Sequence, residues 1–268
     1  MCYDFLYRVS TSTPWEWDKD FSSAWNLVGK HAHWSDRIRS LVRQTLARTL
    51  EVIPKEILPP VVGDPDFRED RDGRTYHPHD IAALAERDRV RLPYIAVHAR
   101  HGDFLRTCKN PNKAEGGKGC APSLSTFERL IEEVEQELHK RGVGVKAGFK
   151  QKFPVIVTSD ETDEEWWGEV ARYGWKRVQF PVSLEAKLSM DDKAKGSTKG
   201  RVINPVIEAE PKEGWPAGTY EKLWDLMLIE VAIQGMAVGF VGTLESTMSR
   251  VAQRRVEHWQ GGVTRMVE

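Results

Sequence analysis

Apolar residues fall into two rhythms along this chain. Short unbroken apolar runs suit strands buried on both faces. They alternate with longer stretches whose apolar residues recur every third or fourth position, which suit helices with one face on a core. The clearest run is Tyr94-Ile95-Ala96-Val97-His98-Ala99, and it stops abruptly at Arg100-His101-Gly102-Asp103. A second run, 153–158, ends at Ser159-Asp160. A third and shorter one is Val178-Gln179-Phe180, and a fourth, 237–241, turns at Gly242-Thr243. Residues 25–29 are expected to form a further short strand.

Helical spacing begins after Ser35, with Ile38, Leu41, Val42, Thr45, Leu46 and Thr49 on one face, and Pro54, Pro59 and Pro60 are expected to end that helix. A short helix is predicted over 80–87. Ser125 and Glu128 read as a capping box ahead of Phe127, Leu130, Ile131, Val134 and Leu138, with Gly142 and Gly144 as the stop. Residues 164–173 form another helix, with Trp166, Trp167 and Val170 packing inward. Tyr220, Leu223, Trp224, Met227, Leu228 and Val231 make the next stripe, and the helix after Ser246-Thr247 continues through Val256. Segments 1–23, 64–74, 109–119 and 181–218 lack periodicity and read as irregular or loop. Strands and helices thus alternate from 94 to 256. That predicts an α/β fold, a Rossmann-like and mostly parallel sheet with helices on both faces.

Composition narrows the classes. A length of 268 residues allows one large domain or two small ones. The net charge of -1 gives no global field toward nucleic acid or an anionic membrane. No apolar stretch approaches the roughly 18 residues of a membrane helix, and no basic and apolar leader follows Met1. Three cysteines, Cys2, Cys108 and Cys120, exclude a disulfide scaffold. Cys108 and Cys120 either close the loop between them or remain thiols. The histidine pairs His31/His33, His77/His79 and His98/His101 lack a third ligand at metal-site spacing, so no metal is expected. Neither a G-x-S-x-G elbow nor a Gly-Lys-Ser/Thr phosphate loop occurs.

Chemistry is then expected at three strand ends, since ligands of parallel sheets bind at the carboxyl ends of strands. Arg100 offers a planar fork of donors suited to phosphate, or else pairs with Asp103 on the surface. Asp160 either holds a nucleoside or opens the next helix. Glu230, at the edge of its helix stripe, either accepts two donors from a guanine edge or is a solvated carboxylate. Ser246 and Thr247, after a strand that ends in glycine, either bind an anion with the helix N-terminus or simply cap the helix.

Taken together, His98-Ala99-Arg100-His101-Gly102-Asp103, Thr158-Ser159-Asp160 and the stretch EVAIQGMAVGFVGTLESTMS (230–249) resemble the GDP-fucose protein O-fucosyltransferase family, particularly its fungal members. The resemblance runs from Trp25 to Gly262 and is to the carboxyl-terminal, nucleotide-binding half of a GT-B fold. It implies that Arg100 clamps the β-phosphate of GDP-fucose, that His98, Gly102 and Asp103 shape the turn beside the nucleotide, and that Asp160 lies by the nucleoside. It implies that Glu230 stands where the family carries a guanine-reading Asp. Ser246, Thr247 and Met248 would hold phosphate, Met248 replacing a frequent aromatic. By the same resemblance the enzyme is an inverting transferase that needs no metal or other cofactor, modifies a protein or glycan hydroxyl, and works in the lumen of the secretory pathway.

The resemblance further divides the chain into 1–92, a remnant of the amino-terminal half, and 93–268, the sugar-nucleotide domain. Because that other half usually carries the acceptor site and general base, donor binding with weak or absent transfer is expected. Two alternatives stay open. One is a non-catalytic GDP-sugar binder of the same descent. The other is a histidine phosphatase, since Arg100-His101-Gly102 resembles that family's opening motif, with His101 as nucleophile and His258 as its late partner.

Overall fold

The computed structural model describes residues 25, 29, 32–53, 92–101, 122–143, 152–181, 219–244 and 246–267. Its elements are α1 (Asp36–Leu50), β1 (Ile95–Ala99), α2 (Leu124–Lys140), β2 (Val155–Ser159), α3 (Glu164–Arg172), β3 (Lys176–Arg177), α4 (Thr219–Met236), β4 (Gly239–Thr243), α5 (Thr247–Arg255), a π-helical turn (Val256–Gln260) and β5 (Val263–Val267). The strands form one sheet in the order β3-β2-β1-β4-β5. All four pairings are parallel, with Ile95 opposite both Val155 and Gly239. The α/β, Rossmann-like architecture expected from the alternating runs is the architecture observed.

Strand alternation sorts the core into two layers. Ala96, Ile156 and Phe240 face α1, α4 and α5, packing with Val42, Leu46, Ile229, Ile233 and Ala252. Ile95, Val97, Val157 and Val241 face α2 and α3, packing with Phe127, Val134, Trp167 and Val170. The lower half of α4 has lost its single stripe, because every residue from Val231 to Met236 is buried, as in a helix enclosed on several sides. Tyr94, also fully buried, anchors that helix by donating its hydroxyl to the Ile233 carbonyl at 2.7 Å. The helix before residue 92 thus shares one core with the sheet. None of the described helices is long and apolar enough to cross a membrane.

Several boundaries differ from expectation for local reasons. The hydroxyl that caps α2 belongs to Ser123, which accepts from Thr126 N, so Ser125 and Glu128 lie inside the helix and form no box. Burial of Leu124 at the first turn draws the start forward. At its other end α1 stops at Leu50, ahead of Pro54: Glu51 is left-handed (φ 59°), and its N–H and that of Val52 close back on Ala47 and Arg48. The third strand is Lys176–Arg177 rather than 178–180, whose apolar side chains pack on the α1 side while Gln179 N donates to Thr49 Oγ1 instead of to a ladder. β4 begins at Gly239 and runs through Thr243, so Gly242 is within the strand. Trp25 is helical and Gly29 sits in a 3₁₀ turn, not a strand. The π turn and β5 were not expected; β5 is half-buried at the sheet edge, and its apolar signal is thin. The helix predicted at 80–87, the loops at 64–74 and 109–119, and Cys2, Cys108 and Cys120 lie outside the described residues.

Two close approaches depend on glycine. A Cβ on Gly239 would meet Val134 Cγ1 at 2.6 Å, and one on Gly242 would meet the Phe240 ring at 2.6 Å and Ser249 Cβ at 2.8 Å. Gly242 therefore lets α5 lie against β4. Gly242→Ala should cost about 1–3 kcal/mol through overpacking, read as a lower urea midpoint.

Candidate functional site

The connections fix where a ligand crevice opens. β1 leads through α2 to β2 on one side, and β4 leads through α5 to β5 on the other, with α2 and α5 on opposite faces. The strand order therefore reverses between β1 and β4. In open parallel sheets the crevice at such a point receives the ligand. Arg100 follows β1 there, and the N-terminus of α5 follows β4.

Hydroxyls lace these strand ends together. Thr243 Oγ1 donates to the His98 carbonyl at 3.1 Å and accepts from Arg100 N at 3.0 Å. On the other flank Thr158 Oγ1 donates to Val97 O at 2.9 Å, and Ser159 Oγ donates to Ala99 O at 2.6 Å. Gln234 of α4 donates in turn to Thr158 Oγ1 at 2.9 Å. The loop after β1 thus leaves the sheet held from both neighbours.

The Arg100 guanidinium meets Asp160, with Nη1 3.0 Å from Oδ2. The other oxygen of Asp160 accepts from His101 N at 2.7 Å. Asp160 therefore organises the loop after β1, and it neither caps α3, a role taken by Asp163, nor stands apart as a lone surface carboxylate. His101 is buried: its Nδ1 pairs with Glu161 Oε2 at 2.8 Å, and its ring meets Trp166 edge-on with centroids 4.8 Å apart. Burial raises the Glu161 pKa, but backbone N–H groups of Asp163 and Thr162 and the His101 hydrogen bond outweigh it and hold the carboxyl below its usual range.

On the other side of the crevice Ser246 caps α5, its Oγ accepting from Ser249 N at 3.4 Å. The first backbone bond of the helix runs from Arg250 N to Ser246 O, so the earlier N–H groups lie outside the helical ladder. Thr247 and Met248 form this first turn and are half-buried. Ser246 is thus a cap, and the helix start it shapes faces the same crevice as Arg100. His98 points to the α5 face, and its Nδ1 lies 2.7 Å from Ser249 Oγ. Desolvation lowers its pKa to about 4; Arg100 adds to that and Asp160 opposes it, so the ring is neutral near pH 7.

Glu230 is half-buried on α4, one turn above Gln234. Burial pushes its carboxyl up to about 7, with Arg177 lowering and Asp160 raising it. Glu230 lies one turn before Gln234, which reaches Thr158 near the end of β2. The structure thus brings His98, Arg100, Asp160, Glu230, Ser246, Thr247 and Met248 to one edge of the sheet, whereas Gly102 and Asp103 lie outside the described residues. Thr243, Ser249 and Glu161 join the site without having been singled out for these roles. For Ser249 the available signal was its three-residue spacing from the capping Ser246. Among the described residues no three His, Cys, Asp or Glu side chains converge as a metal site. A shallow groove lined by Glu132, Glu135, Gln136, His139 and Lys152 lies along α2 beside the start of β2, not at this rim.

Fold and site together define a parallel α/β domain whose switch point brings a cation and a helix N-terminus side by side. No family model matches the sequence, and no curated protein does. Among solved structures the chain is similar to POFUT1 in complex with GDP, at 16% identity and a TM-score of 0.38, over 89% of this chain and 49% of that one. A second crystal form of the GDP complex gives 18% identity and a TM-score of 0.36, over 92% and 51%. POFUT1 in complex with GDP-fucose gives 18% and 0.30, over 65% and 41%. The chain spans about half the length of the POFUT1 chains it matches in the GDP complexes.

Glu230 supplies a test of this rim. Its folded pKa lies above the ordinary value of 4.5, so between 4.5 and about 7 the native state holds a proton that the unfolded chain releases. Its contribution to stability is full below the lower value and is lost as pH rises through the upper one. Relative to Glu230→Gln, the native protein should lose on the order of 2 kcal/mol between pH 5 and pH 8, after allowance for its exposed edge. Urea unfolding of both proteins at the two pH values checks this. His98 titrates in both and cancels in the difference.

Proposed function

We propose that this chain carries the donor site of an inverting, metal-independent glycosyltransferase that takes GDP-fucose and delivers the sugar to a protein or glycan hydroxyl. The observation that carries the reading is the pairing of Arg100 with the N-terminus of α5 on adjacent strand ends at the switch point, joined through Thr243. A fixed cation and a helix N-terminus converging on one crevice suit a diphosphate.

In the reaction an acceptor hydroxyl attacks the anomeric carbon as the bond from that carbon to the β-phosphate oxygen breaks. GDP leaves with the electron pair. Arg100 and the start of α5 stabilise the charge that grows on the leaving phosphate, the part a divalent cation plays elsewhere. Asp160 aims Arg100, and in this reading Glu230, once ionised, accepts from a guanine edge. The acceptor proton goes to a base that this reading does not assign to the chain. The fungal branch of the family and a lumenal setting belong to the same proposal and rest on the sequence motifs.

The phosphatase reading loses support from the geometry. With Nδ1 held by Glu161, the nitrogen of His101 left to act as nucleophile is Nε2, and that atom is sealed from solvent. His258 lies in the turn that precedes β5, at the opposite edge of a parallel sheet. The non-catalytic binder shares every donor-site feature and differs only in turnover.

Titration calorimetry with GDP and with GDP-fucose in EDTA tests the proposal. Native protein should bind both, and Arg100→Ala should weaken binding by about 10- to 100-fold, the scale of one lost charged hydrogen-bonded contact. Absence of binding to either nucleotide in the native protein overturns the donor site. Binding without release of fucose to any acceptor or to water favours the binder.

A further inference from the structure

We propose that Ser249 is a positioning residue that fixes His98 as its Nε2–H tautomer, presenting a neutral hydrogen-bond donor to an anion held at the start of α5. The anion and its place rest on the donor-site reading above; the tautomer rests on hydrogen-bond accounting alone. Ser249 is fully buried, and its Oγ has two partners among the described residues. One is Thr243 N, 3.1 Å away, which can only donate. The other is His98 Nδ1 at 2.7 Å. Among the described residues the hydroxyl hydrogen therefore has one acceptor within reach, and that acceptor must be an unprotonated Nδ1. A neutral imidazole carries one N–H, which then sits on Nε2.

His98 is 5% exposed, and its Nε2 has no protein partner among the described residues. An anion beside Arg100 and α5 would accept from it. Neutral His98 adds a hydrogen bond there without a further charge. The arrangement also couples the two sides of the crevice, because Ser249 Oγ accepts from the last residue of β4 while it orients the ring on β1.

The experiment is ¹⁵N–¹H NMR of the histidine rings in the native full chain, with His98 assigned from its absence in a His98→Asn variant. Native His98 should show a bare Nδ1 and a protonated Nε2. Added inorganic pyrophosphate should shift the Nε2–H signal. Ser249→Ala should yield a mixture of tautomers, and its affinity for GDP should fall about 10-fold; Ser249→Cys, which keeps a weak donor, should fall between. A native His98 protonated at Nδ1 overturns the inference whether or not any variant folds. So does an unaltered tautomer in folded Ser249→Ala, or a pyrophosphate titration that leaves the Nε2–H signal unmoved. If pyrophosphate shifts His98 while neither GDP nor GDP-fucose binds, the nucleotide-sugar reading fails and the anion-donor role of His98 stands.

Discussion

The Thr243 hydroxyl is the constraint on which the crevice depends. β1 and β4 pair as far as His98 and Gly242. One residue further, the ladder gives way to a side chain: Thr243 Oγ1 bonds both the His98 carbonyl and the Arg100 N–H. A hydroxyl can do this because it donates and accepts at once. The backbone groups that would otherwise be orphaned at the strand end are satisfied, and Arg100 emerges from the sheet at a fixed point beside α5. Without that link the Arg100 backbone would lose its register to the helix start.

Other contacts extend the same device. Ser159 and Thr158 hold the opposite side of β1, and Ser249 reaches across Gly242 to engage both Thr243 N and His98. Gly242 makes this possible by leaving room for Ser249. Sheet ladder, missing side chain and hydroxyl therefore act as one unit. A change in any of them would be felt at Arg100, although none needs to touch a ligand.

What the chain made legible follows from physics of different range. Buried parallel strands need continuous apolar runs, so β1, β2 and β4 stand out, and helices with one inward face declare their period. Edge elements do not: β3 is two residues long, and most side chains of β5 are only half-buried. Arg100 and Ser246 were legible because strand ends and caps have local signatures. The partners were harder. Asp160 was visible as a strand-end carboxylate, but its pairing with Arg100 spans 60 positions and needs the parallel register of β1 with β2. Nothing in the stretch around Ser249 announces a hydroxyl aimed at His98, because that contact depends on the absent Cβ of Gly242.

The rim's charge sets a further condition on what it can bind. Arg100 and Arg177 are faced by four carboxylates, Asp160, Glu161, Glu164 and Glu230. With all of them ionised a diphosphate would meet a surplus of negative charge, and Arg100 would be compensated before any ligand arrived. Two features relieve this. Burial lets Glu230 carry a proton up to about pH 7, and Glu161 is occupied by His101 and by backbone N–H groups rather than facing the crevice alone. The N-terminus of α5 then contributes positive potential that no carboxylate of the rim neutralises by direct contact among the described residues. Asp160 is left as the carboxylate that competes for Arg100, and that competition aims the guanidinium: an ion pair at 3.0 Å limits its freedom to swing away from the crevice.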